Sequence, residues 1–326
     1  MKRILAIILV LALGLSLCAA AEGAFPVTVT DQAGREVTIE REPETIVCGY
    51  YIATSMLIAL DQDEKLAGIE NDADKRPVYA LSAPHLLKLP GMGNVKLFDL
   101  EACATLDPDL VVLPLRQADT APTLEELGYT VLFVNPESPE LLAQSISLLG
   151  AATGSSERAQ ALNAHIEGAL SALEEAIGDA EKPSVYLSGN SSFRKTAGSA
   201  MYQHNLIERG GGENVAAELS DTYWAEISYE QLLAWDPEAI LMAADASYTA
   251  EEVLSDPNLQ SLRAVESGRV YKLPNAIESW DSPVPASFLG SFYLASVLHP
   301  DRFSEQAYAE AVRAFYLEFY GFEPEL

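Results

Sequence analysis

One stretch of this chain occurs twice. Phe98-Asp-Leu-Glu101-Ala-Cys-Ala-Thr-Leu-Asp107-Pro108-Asp-Leu-Val-Val-Leu113 is matched 129 residues later by Ile227-Ser-Tyr-Glu230-Gln-Leu-Leu-Ala-Trp-Asp236-Pro237-Glu-Ala-Ile-Leu-Met242. In each copy a Glu opens a short helix, Asp-Pro stands six residues later, and an apolar strand follows. The residue before a proline is pushed out of the right-handed α region, so Asp107 and Asp236 should end their helices. A helix–stop–strand unit repeated at the spacing of one lobe implies two similar lobes. A chain of 326 residues is long enough to bury two cores.

The rest of the pattern fits that division. Val27–Glu40 reads as a strand pair around the turn Gln32-Ala33-Gly34. Apolar runs at Thr45–Cys48, Leu66–Ile69, Leu110–Leu113 and Val131–Val134 then alternate with helical patterns at Ala53–Leu60 and Thr123–Leu127. From Pro139 onward the chain turns helical. After the interruption at Thr153-Gly154, one apolar face runs through Leu162, Ile166, Leu170, Leu173 and Ile177 at spacings of three and four. Alternation resumes with strands at Ser184–Leu187, Ala239–Met242 and Val270–Leu273, and the tail is helical. The expectation is an α/β fold with mostly parallel sheets: a lobe over 25–154, a connecting helix over 155–180 and a second lobe over 181–326.

The amino terminus bears on compartment. Lys2 and Arg3 precede a fourteen-residue apolar run, Ile4–Leu17, and Ala19-Ala20-Ala21 follows Cys18. That is the order of a secretion signal, expected over residues 1–24, and the run is short of the roughly 20 residues of a membrane span. Cys18 has two readings: a lipidated first residue after a lipobox-like Leu15-Ser16-Leu17, although Leu17 stands where a small residue is usual, or a residue discarded with the signal. Either way the mature chain works outside the cytoplasmic membrane, at the cell surface or in a periplasm. Cys48 and Cys103 remain, in apolar settings that suit buried free thiols.

Composition excludes several classes. Asp+Glu number 48 against 20 Lys+Arg, a formal charge of −28, and Lys2 and Arg3 leave with the signal. Such a surface repels phosphate backbones, so no nucleic-acid partner is expected, and a membrane contact only through a lipid anchor. There is no CxxC, no HExxH and no Walker loop, and no resident metal or cofactor is expected. Gly189-Asn190-Ser191-Ser192 lacks the GxSxG elbow of a hydrolase. A secreted hydrolase using some carboxylate pair is the alternative from another class, and an adhesive surface protein a third.

The segments VTDQAGREVTIEREPETIV, GGENVAAEL at 211–219, ISYEQLLAWDPEAIL at 227–241 and WDSPVP at 280–285, in that order, resemble substrate-binding proteins of ABC importers. The nearest group is the class III periplasmic binding proteins for iron–siderophores, haem or cobalamin. The resemblance implies two α/β lobes on one rigid helix with the ligand between them, no catalysis, a monomer, and an ABC permease with its ATPase as partners. It also implies that Glu101 and Glu230 dock onto permease arginines. Acidic residues in a helix's first turn are favoured by the macrodipole in any case, and Ser228 with Gln231 has the spacing of a capping box.

Ligands of open α/β sheets bind beyond the carboxyl ends of the strands. Reading those ends gives Tyr50 and Tyr51, Arg76, Arg116, Asn190, Arg194 and Trp224 as ligand-binding candidates. The arginines suit an anion, since a planar guanidinium pairs with carboxylate or oxyanion; the aromatics suit a large ring-bearing body. The ligand expected is a small-molecule metal complex, an anionic ferric one with its iron part of the cargo; cobalamin or haem is the alternative. Direct haem ligation would call on Tyr50, Tyr51 or one of the histidines, His85, His165, His204 and His299. Trp280, before Asp-Ser-Pro, reads as a loop anchor.

Overall fold

The computed structural model describes residues 25–219 and 223–325. The signal segment and Cys18 lie outside the described residues. Each lobe is built on a four-stranded parallel sheet. In the first the order across the sheet is Leu66–Gly68, Ile46–Cys48, Leu110–Pro114, Thr130–Val134. In the second it is Glu213–Asn214, Ser184–Ser188, Ala239–Met242, Val270–Lys272. Numbered along the chain, both orders are second, first, third, fourth, so the lobes share a topology as well as a repeat. Strands buried on both faces explain the unbroken apolar runs: every residue of Ile46–Cys48, Leu110–Pro114 and Ala239–Met242 is buried.

The two repeat copies occupy equivalent places. Helix Leu100–Leu106 leads into the third strand of the first sheet and Tyr229–Trp235 into the third strand of the second. Each helix stops at its Asp, and Asp107 and Asp236 leave the right-handed region for the left-handed one, at φ of 47° and 41°. Asp tolerates that region better than most residues, and the proline behind it closes the right-handed alternative.

The helix Ser156–Ile177 lies between Pro139–Thr153 on the first lobe's side and Phe288–Leu298 and Tyr202–Arg209 on the second's. Its buried face carries Ala159, Leu162, Leu173 and Ile177. Arg158 ties it further, donating to Ala59 O at 2.8 Å and pairing with Asp61 at 2.8 Å. The helix is not alone in joining the lobes. The last helix, Glu305–Tyr320, packs back onto Tyr51–Ala59 of the first lobe, and one continuous hydrophobic core contains both, together with Leu162, Phe288 and Phe315. Val185 and Leu187 on one face of the second sheet and Tyr186 on the other belong to separate, smaller cores. Cys48 and Cys103 are buried free thiols, and burial pushes their pKa values up to about 12 and about 11.

Candidate functional site at the cleft between the lobes

In a sheet of this order the connections diverge between the first and third strands, and the crevice opens there. The first lobe's switch point holds Gly49, Tyr50 and Arg116. Gly49 N–H donates to Val112 O at 3.0 Å, and a Cβ at Gly49 would fall 2.7 Å from Leu113 and 2.9 Å from Phe98. Only glycine lets the chain leave the strand so close to its neighbours. Tyr50 follows as an extended residue ahead of the Tyr51–Ala59 helix, and the Tyr50 and Tyr51 rings meet edge-on at 5.7 Å. Tyr50 is buried, which raises its phenol pKa, and Tyr51, Glu137 and Arg116 all act on it electrostatically. Arg116 is exposed at the end of Leu110–Pro114, and Glu137 stands half-buried beyond Thr130–Val134. Burial raises the Glu137 pKa and Arg116 opposes that rise.

Arg76 is held differently. Its guanidinium lies 3.8 Å from the centre of the Tyr51 ring, a cation–π stack, and its Nε is 3.4 Å from Glu70 Oε1. Glu70 is buried and accepts from Tyr79 Oη at 2.7 Å and Thr54 Oγ1 at 2.8 Å. Burial raises its pKa against the pull of those two bonds and of Arg76.

At the second lobe's switch point the strand Ser184–Ser188 runs out into Gly189, where a Cβ would lie 2.9 Å from the Trp224 ring. Trp224 therefore rests directly on the strand end. Asn190 is exposed, and its carbonyl accepts from Ser247 N–H at 2.9 Å. Asp245, beyond Ala239–Met242, accepts from Ser279 Oγ at 2.7 Å and Asn275 Nδ2 at 3.2 Å. Asp281 is buried with its Oδ2 accepting from Ala244 N–H at 3.1 Å.

Between the lobes lies a pocket of about 280 Å³ lined by Tyr51, Arg76, Tyr79, Asp245, Glu278 and Ser282, among others. Three hydrogen bonds cross beside it: Tyr51 Oη to Ser282 Oγ at 3.1 Å, Ser55 Oγ to Glu278 Oε1 at 2.6 Å, and Val78 N–H to Ile277 O at 3.2 Å. A cavity of about 370 Å³ elsewhere is enclosed by helices, with Leu142, Ile146, Leu206 and Phe288 in its wall. It touches no strand end, so the cleft is the better site.

The candidates from sequence thus divide. Tyr50, Tyr51, Arg76 and Arg116 gather on the first lobe, and Asn190 and Trp224 stand at the equivalent strand end of the second. Arg194 departs from the expected clamp: it pairs with Glu226 at 2.7 Å and lies over Tyr229 at 5.9 Å, on the flank of the helix that carries Glu230. The short pairing of Lys195-Thr196 with Ala225-Glu226 brings Arg194 to Glu226, and nothing in the sequence announces it. The histidines are engaged away from the pocket: His85 with Asp63, His165 with Glu318, His204 with Asn214 and His299 with Gly211 O. Trp280 is a buried anchor donating to Tyr316 Oη at 3.0 Å. Sequence reasoning missed Glu70, Glu137, Asp245 and Glu278, although Glu70 directly follows the expected strand Leu66–Ile69 and Glu137 and Asp245 stand just beyond the expected strands ending at Val134 and Met242; only Glu278 lies well away from an expected strand end.

Glu101 and Glu230 are exposed in the first turns of their helices, capped by Asp99 to Ala102 N–H at 2.9 Å and Ser228 to Gln231 N–H at 3.1 Å. The reciprocal half of the capping box forms not at Ser228 but at Thr249, with Glu252. Hydrogen bonds from its own backbone N–H and from Ser228 lower the Glu230 pKa, so it is an anion at neutral pH.

Residues 46–277 match the family described as Periplasmic binding protein. The molybdate-binding protein MolA of Haemophilus influenzae is 23% identical over 318 residues, 90% of each chain. Its structure with molybdate bound superposes with a TM-score of 0.80 at 21% identity, covering 92% of this chain and 99% of that one. A periplasmic solute binding protein of Veillonella parvula gives a TM-score of 0.78 at 26% identity over 92% of this chain and 94% of that one. The cobalamin-binding protein of Halobacterium salinarum is 27% identical over 227 residues, 68% of this chain and 60% of that protein. With two lobes of one topology, a cleft at their strand ends and this match across most of its length, the chain belongs to the periplasmic binding protein family: it is the extracytoplasmic substrate-binding component of an ABC importer, a binder and not an enzyme.

Proposed function

We propose that the cargo is an anionic ferric complex of siderophore type, captured in the cleft and handed to the permease through Glu101 and Glu230. One observation carries this: Arg116, exposed at the first lobe's switch point, enters no ion pair among the described residues, in a chain of net charge −28. A free guanidinium at that place is a donor fork for a carboxylate or other oxyanion. Arg76 adds a second cation on the same lobe, over Tyr51 at the seam pocket, and Tyr50, Tyr51 and Trp224 supply apolar walls. If Cys18 is the lipidated first residue, the receptor is tethered at the membrane where its permease sits.

Cobalamin is the second reading. Trp224 on Gly189 and the Tyr50–Tyr51 pair offer aromatic faces at both strand ends, and a relative is named for that ligand. The test is titration of tryptophan fluorescence with ferric citrate, molybdate, haem and cobalamin, beside native mass spectrometry of protein drawn from its own cells. For an anionic cargo, Arg116→Ala should weaken ferric citrate binding by roughly 10–100-fold, the worth of one charge-assisted hydrogen bond. Tighter binding of cobalamin, indifferent to Arg116→Ala, would transfer the assignment to the second reading.

A further inference from the structure

Arg76 stands at the seam between the lobes with a buried carboxylate on the side of each. Glu70 of the first lobe is 3.4 Å from its Nε. Glu278, on the segment returning from the second lobe, lines the same pocket and feels the guanidinium's field. One cation cannot neutralise two buried carboxylates, and a surplus buried charge is costly unless the group takes up a proton. Arg76 pairs with Glu70, and Glu278 enters no ion pair among the described residues, so Glu278 is the one left with the surplus. Its Oε1 accepts from Ser55 Oγ at 2.6 Å and its Oε2 from Tyr316 Oη at 3.3 Å. Ser55 is also joined to Tyr320 Oη at 2.8 Å, and Tyr316 Oη receives the Trp280 indole N–H.

We propose that Glu278 is a positioning residue of the ligand cleft, whose proton sets how strongly Arg76 engages an anionic cargo. The proposal rests on the anionic reading of the cargo above. With Glu278 protonated, Arg76 answers only to Glu70 and the seam is close to neutral. With Glu278 ionised, a second buried negative charge draws on Arg76 and repels the cargo. Burial is the largest influence on Glu278 and pushes its pKa from 4.5 to about 7, against the opposing pull of Ser55, Tyr316 and Arg76. The other titratable groups on the elements around it are Tyr51, Lys75, Glu70 and Tyr79 of the first lobe, Asp245 across the pocket, Asp281 on its own segment, itself raised by burial to about 6, and Tyr320 on the last helix. Tyr79, Tyr316 and Tyr320 have phenols raised well above 10 and stay neutral throughout. One charge acting over about 10 Å at an effective dielectric near 20 changes anion affinity by about tenfold.

Two measurements decide it. In ligand-free protein, infrared spectroscopy should show a protonated carboxyl band that disappears on titration near pH 7 and is missing from Glu278→Gln. Ferric citrate affinity should fall about tenfold between pH 6 and pH 8.5 in the parent, relative to Glu278→Gln under the same conditions, which stays at the tight limit. Ser55→Ala removes a bond that favours the ionised form, so it should move the midpoint to higher pH, and it serves if the Gln variant fails to fold. Identical pH profiles in parent and Glu278→Gln, or a Ser55→Ala midpoint unmoved or lowered, would overturn the proposal. Should ferric citrate bind at no pH, the anionic reading of the cargo falls; the infrared titration then decides alone, sustaining the proton device if the band titrates and ending it if not.

Discussion

Asp281 offers a measurement of what the second lobe's loop costs at neutral pH. It is buried, and burial is the largest influence on its carboxyl; Asp245 nearby adds to the rise and the bond from Ala244 N–H opposes it, with the result that its pKa moves from 3.8 to about 6. The folded state therefore holds this proton more tightly than the unfolded one. Its contribution to stability is complete below about pH 4 and is lost as pH rises through about 6. Two pKa units correspond to about 3 kcal/mol at most. Asp281→Asn keeps an oxygen for Ala244 N–H and removes the charge, so above pH 7 it should be more stable than the parent by about 1–3 kcal/mol. At about 2–4 °C per kcal/mol for a chain of this size, Tm should rise by roughly 2–12 °C at pH 8. Calorimetry of parent and variant from pH 4 to 8 gives the difference curve, which should open between pH 4 and 6 and then level off. A difference that is flat with pH, or a variant less stable at pH 8, would refute the assignment of a buried, charge-penalised carboxyl.

Other expectations follow from the same geometry. Glu101→Ala and Glu230→Ala should leave ligand affinity unchanged and slow uptake through the cognate permease, because exposed charges at a docking surface act on encounter and register; equal losses in binding and uptake would move them into the cleft. Spin labels on the two lobes should report only a small tilt between free and loaded protein, and a wide closure would contradict the bracing by two helices. Leu162→Ala, in the shared core under the connecting helix, should cost about 2–5 kcal/mol and lower Tm without altering affinity at a temperature where the protein is folded.

Much of the frame could be read from sequence because its strands are buried on both faces. Leu110–Leu113 was expected and Leu110–Pro114 forms; Ala239–Met242 forms as expected. The connecting helix shows its apolar stripe in the same way. What escaped has no periodicity to show. Glu213–Asn214 is two polar residues long and is a strand only because Ser184 and Val185 lie beside it. The seam was illegible for another reason: Ser55 meets Glu278 across 223 positions and Tyr320 across 265. Carboxylates scattered through an acidic chain look alike until burial separates them. Arg76, Arg116 and Arg194 likewise looked equivalent as cations near strand ends, and it is their partners that differ.

Those partners bear on how a stiff receptor can recognise anything. The connecting helix and the last helix both span the lobes, and the Tyr51–Ser282, Ser55–Glu278 and Val78–Ile277 bonds close the seam beside them. Rotation about such a frame would break packed core as well as hydrogen bonds, so large closure is not available as the means of gripping a ligand. Adjustment must fall to side chains that can leave one partner for another. Arg116 has no ion pair to give up among the described residues and is free to bind directly. Arg76 has Tyr51 and Glu70 to lose, so its engagement is conditional on the charge around it. A frame that holds the lobes still thus leaves selectivity to the electrostatics of a few groups at the cleft, and that is where the buried carboxylates of this chain are concentrated.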